Sequence, residues 1–307
     1  MWKYRFKVPE KKKVRMIVYT DCKNEADDQF ALAHHLLTPK FIVKGIIGAH
    51  FNIKPQQWGE GNTAKASYDE IKKVLSIMGL EGQYPVFCGA ERPLADEHTY
   101  QESEAARFIV EEAMRDDPSP LYIACQGSIT DLASAILMKP EICRRMTAVW
   151  VGGGMYPEGG WEFNMGNDIA AVNVLFSSEM PVWQIPLNVC KQTSVSLAEL
   201  QHRVAPCGEI GNYLFEQMIA YNDAHGDEVE WPGGEMWGLG DQGTIGVFFV
   251  EHDKTDDYTY IEAPRIGEDM KYVFGQNNRK IRVYHTINAR LIMEDFYAKL
   301  AINFGGK

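Results

Sequence analysis

Four carboxylates fall within eight residues near the start of the chain: Asp21, Glu25, Asp27 and Asp28. Acids packed that closely repel one another unless a cation or separate hydrogen-bond partners absorb the charge. Hard, oxygen-rich sites suit Ca²⁺ or Mg²⁺. A plainer reading stands beside it: an ordinary strand-to-helix loop, whose acids favour the positive end of the following helix dipole.

The elements around the loop give it a place. Met16-Ile17-Val18-Tyr19 is a short apolar run that reads as a buried strand. After the acids comes a helical spacing of Phe30, Leu32, Ala33, Leu36 and Leu37. A polar loop between a buried strand and a helix lies at the carboxyl end of the strand, where open α/β sheets bind their ligands.

The same alternation continues. Strands are predicted at 41–47, 85–89, 121–125, 146–151, 182–185, 258–261 and 281–287. Helices are predicted at 64–79, 103–115, 131–138, 169–176 and 288–301. That order predicts an α/β fold: an open, mostly parallel sheet flanked by helices. Tyr272–Phe274 and the turn at 275–278 predict a small antiparallel addition near the C-terminus. With no repeat and no linker, one domain over 1–307 is expected, opening with a solvated arm over 1–13. Residues 222–243, rich in glycine and acids and carrying Trp231 and Trp237, read as a loop or lid.

Other polar residues fall at predicted strand ends: Asn52, Thr130, Glu162, Asn164, Asp168 and Asp241. Each alone has a bland use. Asn52 could make a turn, Asp168 suits the cap of the helix at Ile169, and Asp241 could cap the apolar run after it. Jointly they predict a ligand site along one sheet edge.

Bulk properties narrow the classes. The 307-residue chain carries a net charge of −11, which disfavours nucleic-acid phosphates as a partner. No apolar run approaches the roughly 18–20 residues that span a bilayer. The basic N-terminus has no apolar stretch after it and does not read as a secretory signal. Six scattered cysteines form no zinc or redox spacing and read as reduced thiols, so a cytoplasmic protein is expected. Cys22 lies among the acids, which would suppress its thiolate; a packing role is expected.

As a set, the N-terminal stretch, the Gly127–Thr130 loop, Glu162-Phe163-Asn164 with Asp168-Ile169-Ala170-Ala171, and Asp241 resemble the inosine–uridine-type nucleoside hydrolases. The resemblance covers most of the chain. It implies cleavage of the N-glycosidic bond of a ribonucleoside with a tightly bound Ca²⁺, in a homodimer or homotetramer. That family's fingerprint, D-x-D-P-G-x-D-D, here reads Asp21-Cys22-Lys23-Asn24-Glu25-Ala26-Asp27-Asp28. The resemblance implies a metal shell of Asp28, Asp241 and the Thr130 carbonyl, and sugar contacts from Asp27, Asn52, Glu162 and Asn164; Asp21 or Glu25 is expected to complete the shell, and Asp168 to join the substrate contacts. Trp231 and Trp237 are candidates to stack on the base, or lid residues packed on the body.

Two departures matter. Lys23 stands where the family has a metal ligand and presumed base; its ammonium is expected to turn away from the cation or pair with an acid. Gly240 stands where many members have a histidine that protonates the leaving base; His50, His225 and His252 are spare, and none is assigned. The loop also resembles a divergent, nucleoside-hydrolase-like branch. Glu25 is the nearest carboxylate able to replace the lost base, with Asp21 as the second candidate. Two rival classes remain open at this point: a nucleoside- or sugar-binding protein that keeps the metal site without turnover, and a metal-dependent phosphohydrolase. The absence of a glycine-rich phosphate loop near the first helix disfavours the latter.

Overall fold

A computed structural model describes residues 2–53, 59, 61–227, 232–250 and 256–306. The first half of the chain alternates β1 (Val14–Thr20), α1 (Asp28–Leu37), β2 (Phe41–Gly48), α2 (Thr63–Ile77), β3 (Val86–Cys88), α3 (Glu104–Ala113), β4 (Leu121–Gln126), α4 (Thr130–Met138) and β5 (Met146–Val151). Then come α5 (Phe163–Asn167), α6 (Ile169–Ser177), β6 (Val182–Ile185), α7 (Leu187–Cys190), β7 (Ser194–Ser196), α8 (Leu197–Arg203) and α9 (Gly208–His225). The last part holds β8 (Met236–Gly238), α10 (Gly243–Gly246), β9 (Tyr258–Glu262), β10 (Arg265–Ile266), β11 (Tyr272–Val273), β12 (Lys280–Tyr284) and α11 (Ala289–Phe304).

The main sheet has eight strands in the order β3-β2-β1-β4-β5-β6-β12-β9. Every pairing is parallel except β12 with the edge strand β9. The expected architecture is therefore present, with β9 and the β10–β11 ribbon as its antiparallel parts.

All seven residues of β1 are buried. Met16 and Val18 enter one apolar cluster and Ile17 and Tyr19 the other, the two-residue alternation of a strand covered on both faces. Helix α1 is buried along its whole length and apolar nearly all round, as a central helix must be.

This order decides where a ligand can sit. From β1 the chain moves outward through β2 to β3; from β4 it moves the other way through β5 to β6. The crevice at the carboxyl ends of β1 and β4 is the point where strand order reverses. The acid loop leaves β1 there, and Gln126-Gly127-Ser128 leaves β4 beside it.

Two sequence expectations change, and one helix had no sequence expectation. The N-terminal arm is exposed over much of its length but is tied down at its start. Trp2 Nε1 donates to the Leu36 carbonyl at 2.9 Å, Tyr4 Oη to the Leu37 carbonyl at 2.6 Å, and the Lys3 amide to Asn303 Oδ1 at 2.8 Å. Residues 222–225 are the last turn of α9, and Met236–Gly238 pairs with Ser194–Ser196, so parts of 222–243 are helix and strand and not loop. Helix α9 itself went unread because its buried stripe is thin (Ile210, Gly211, Leu214 and Met218) and interrupted by glycine.

Candidate active site

The acid loop folds back on itself at once. The amides of Lys23 and Asn24 both donate to the Asp21 carbonyl, at 2.5 and 2.8 Å. Asn24 Nδ2 then donates to Asp21 Oδ2 at 2.7 Å, which orients that carboxylate. Gln29, one residue into α1, reaches back to the Cys22 carbonyl at 2.7 Å and fastens the loop to the helix. Thr20 Oγ1 donates to Asp28 Oδ1. Asp27 occupies the cap position of α1 without using its side chain as a cap, so its carboxylate is left to face Asp241.

Asp241 arrives from far along the chain on a short 3₁₀ turn, Gly240–Gln242. Thr193 pins the approach to that turn, donating from Oγ1 to the Leu239 carbonyl at 2.7 Å. Gln126, the last residue of β4, donates to Thr244 Oγ1 at 2.7 Å; Thr244 Oγ1 donates to the Asp241 carbonyl at 2.7 Å. The result is a buried group of Asp27, Asp28 and Asp241 whose ligand oxygens all lie within 4.8 Å of one another. The carboxyls of Asp21 and Asp241 both approach Asp28 closely enough to hydrogen-bond it when a proton is present.

Burial is the first cause of the unusual acidities, and mutual repulsion among the acids adds to it. Asp28 is pushed up to about 8 and Asp27 to about 6; Asp21 and Asp241 are also held well above the usual carboxylate range. Asp21 Oδ1 is buried and has no hydrogen-bond partner among the described residues. A buried anion oxygen left unpaired is costly. Four buried carboxylates with one orphaned oxygen fit a hard divalent cation, whose oxygen ligands these are. Glu25 is only half-buried, at the rim, and close enough to Asp27 to stabilise its carboxylate.

The other expected residues divide into two further groups. Glu162 caps α5: its Oε1 accepts from the Asn164 amide at 2.9 Å, and its Oε2 from the Met165 and Gly153 amides at 2.9 and 2.7 Å. Gly153 presents that amide with φ at +88°, a conformation that favours glycine. Asn164 Nδ2 donates to the Val151 carbonyl at the end of β5, at 2.9 Å. The Cys190 thiol lies within electrostatic range of Glu162 and also of Asp27 and Glu25, so it marks the ground between the two acid groups.

The second group is Asp168, Thr130 and His50. Thr130 Oγ1 donates to Asp168 Oδ2 at 2.6 Å and stands 2.7 Å from His50 Nε2. With its proton given to Asp168, the hydroxyl accepts from His50, which sets the histidine's tautomer. Asp168 also caps α6, accepting from the Ala171 amide at 2.9 Å, and accepts from the Leu94 amide at 2.9 Å. Three of its acceptor positions are thus taken by the protein. Thr130 opens α4, so its carbonyl points along the helix toward the next turn. Asn52 bonds to neighbouring segments: Nδ2 donates to the Glu91 carbonyl after β3, and Oδ1 accepts from Thr63 Oγ1 at the start of α2, at 2.9 Å.

Trp237 is corrected most sharply. It is 2% exposed, its indole N–H donates to Asn222 Oδ1 at 3.2 Å, and its ring packs edge-on to Tyr221. It belongs to the core and offers no face to a base. Trp231 and His252 lie outside the described residues, and His225 packs against Tyr221 on α9. Cys22 is buried with its thiol pushed up by burial, consistent with packing. Lys23 pairs with Glu70 at 3.3 Å, one of the two outcomes expected of its ammonium.

The family model for "inosine-uridine preferring nucleoside hydrolase" matches residues 16–289. The chain belongs to that family. Relatives of this nucleoside hydrolase include the pyrimidine-specific ribonucleoside hydrolase RihA of Salmonella paratyphi A, 24% identical over 238 residues, covering 69% of this chain and 73% of the relative. RihA of Citrobacter koseri is 23% identical over 236 residues, covering 69% and 72%. Among solved structures, a plant nucleoside hydrolase (PpNRh1) superposes with a TM-score of 0.70 at 17% identity, covering 94% of this chain and 98% of that one. A purine-preferring ribonucleoside hydrolase from Gardnerella vaginalis gives 0.68 at 17%, with the same coverage. Family membership makes this chain an N-ribosyl hydrolase. Among its described residues, no helix is long and apolar enough to cross a membrane.

Several side chains that build this nucleoside hydrolase site were not singled out in the sequence: Thr20, Asn24, Gln126, Thr193 and Thr244. Only Asn24, inside the acid loop, and Gln126, at a strand end, carried a local signal. One backbone position also shapes the site. A Cβ on Gly127 would lie 2.8 Å from Asp21 Cγ and 2.9 Å from its Oδ1. Gly127→Ala should therefore displace that carboxylate and weaken divalent-cation binding by about 10–100-fold, the range for disturbed supports of metal ligands. Calorimetric titration against wild type checks this; an unchanged affinity would remove Asp21 from the cation site.

Proposed function

We propose that this chain hydrolyses the N-glycosidic bond of a ribonucleoside, giving free base and ribose, with Ca²⁺ held by Asp21, Asp27, Asp28 and Asp241. The single observation that carries the reading is the buried carboxylate group at the reversal of strand order, with Asp21 Oδ1 left unpaired. When bound, the ion neutralises these acids and lowers the pKa of the water it holds.

The chain's own residues supply the rest. Glu25, half-buried at the rim, takes the proton of the attacking water. The surrounding carboxylates stabilise the positive charge of an oxocarbenium-like transition state. Glu162, fixed by its backbone N–H partners, is the family's match for an acceptor of the sugar hydroxyls. The substrate is a free nucleoside, not a polymer. Six free thiols support a reducing, cytoplasmic setting. The resemblance to the family supports a homo-oligomer.

The test is release of reducing sugar from a panel of purine and pyrimidine ribonucleosides, with Ca²⁺ and with a chelator. Release should stop in chelator and return with Ca²⁺. Chelator-resistant release would remove the cation from the reaction; no release from any nucleoside by the Ca²⁺-loaded protein would remove the hydrolysis.

Acidity gives a second expected result. Asp27 and Asp28 titrate near 6 and 8 in the fold against 3.8 as free side chains. Their folded values are raised, so the metal-free protein binds more protons folded than unfolded between about 4 and 8. Its stability is full below that window and falls as pH rises through it. Ca²⁺ must displace those protons, so its affinity should climb over the same window. Melting temperatures in chelator and in excess Ca²⁺ should diverge with rising pH; parallel curves would contradict the assignment.

A further inference from the structure

We propose that Glu70 is a positioning residue that holds Lys23 off the acid cluster and so keeps the cation site open. The inference rests on the cation reading above. Lys23 is two residues from Asp21, on the loop that carries four of the acids, and a free ammonium there would be drawn to them. Its partner is fixed by two other contacts. Glu70, on α2, has a side chain 4% exposed and faces Lys23 Nζ at 3.3 Å through Oε2. Its Oε1 accepts from Gln29 Nε2 at 3.2 Å and from Tyr213 Oη on α9.

The pair stands beside the cluster. The Cys22 thiol feels Asp28, Glu70 and Lys23 together, which puts all three around one buried side chain. Gln29 bonds both to Glu70 and to the Cys22 carbonyl. Glu70 therefore does two things: it neutralises the one cation built into the loop, and it braces the loop backbone through Gln29. A buried ion pair is a weak source of stability because desolvation offsets the attraction. Here its use is spatial: removing the Glu70 charge takes from Lys23 its anionic partner on α2 and leaves the ammonium on the loop that carries the acids.

The test is Ca²⁺ titration by calorimetry on wild type, Asp28→Asn, Glu70→Gln, Lys23→Gln and the Lys23→Gln/Glu70→Gln double variant. Glutamine at position 70 keeps an acceptor for Tyr213 and Gln29 and loses only the charge. Glu70→Gln should weaken Ca²⁺ binding by about 10–100-fold. Lys23→Gln alone, and the double variant, should bind within about threefold of wild type. Rescue by removing the lysine is the signature a merely structural role would not give. An unchanged Glu70→Gln, or a double variant as weak as the single, overturns the proposal. If wild type and Asp28→Asn bind alike, the cation reading itself fails, which is a separate result. Should Glu70→Gln not fold, Glu70→Asp withdraws the carboxylate by one methylene with its charge kept. Its expected loss is about threefold to tenfold, again removed by Lys23→Gln; no loss, or a loss that survives Lys23→Gln, overturns the proposal equally.

Discussion

Asp28→Asn should reduce turnover by about 10³-fold or more, the order that follows removal of a group that stabilises transition-state charge. Asp28 is the centre of the site. Thr20 holds it, Asp21 and Asp241 converge on it, and Asp27 lies beside it. Asparagine keeps the shape and still accepts the Thr20 hydroxyl, so the loss is one of charge. Stability should move the other way. In chelator at pH 8, Asp28→Asn should melt above wild type, because one member of a buried like-charge group has gone. In excess Ca²⁺ the order should reverse, since wild type gains binding energy that the variant forgoes. Thermal melts in both buffers check the pair of results. A variant that melts below wild type in both would mean that Asp28 is structural.

Glu25→Gln should lower kcat by about 10²–10⁴-fold, the span of general acid–base contributions, while KM and Ca²⁺ affinity stay within a few fold. The choice of Glu25 over Asp21 is geometric. Asp21 is 1% exposed, receives Asn24 on one oxygen and has its other buried without a hydrogen-bond partner among the described residues. Glu25 stands half-buried at the rim, near Asp27, where a proton taken from water can leave to solvent. Asp21→Asn should instead lose Ca²⁺ affinity and turnover together. Full turnover in Glu25→Gln would transfer the role of base to another group. A matched fall in Ca²⁺ affinity would make Glu25 a ligand.

The acid loop, the strands around it and the parallel sheet were legible because their signals are local. A buried strand is a short apolar run, a helix has its own period, and a polar strand end lies between the two. The order of those elements, with the fingerprint at Asp21–Asp28, carried the family. Side-chain roles were less legible. Asp168 and Asn52 are polar residues at strand ends, as expected of ligands, yet both spend their oxygens on neighbouring backbone and hydroxyl groups. Composition shows that a polar group is present; it does not show whether the fold has already satisfied it.

What the sequence determined by itself was the chemistry available: several carboxylates, a lysine in place of one of them, and a sheet whose edge would gather them. What only the tertiary structure decided was which of them meet. Asp27 joins Asp28 and Asp241 because α1 leaves its side chain uncapped and a distant 3₁₀ turn is pinned against β4. Lys23 is turned to Glu70 by a helix elsewhere in the chain, and Trp237 lies in the core because α9, a helix with a thin apolar stripe, packs under it. Local pattern records what each residue prefers. Partners far apart in sequence are set by packing, where burial makes every unpaired charge costly and so selects the arrangement that pairs them.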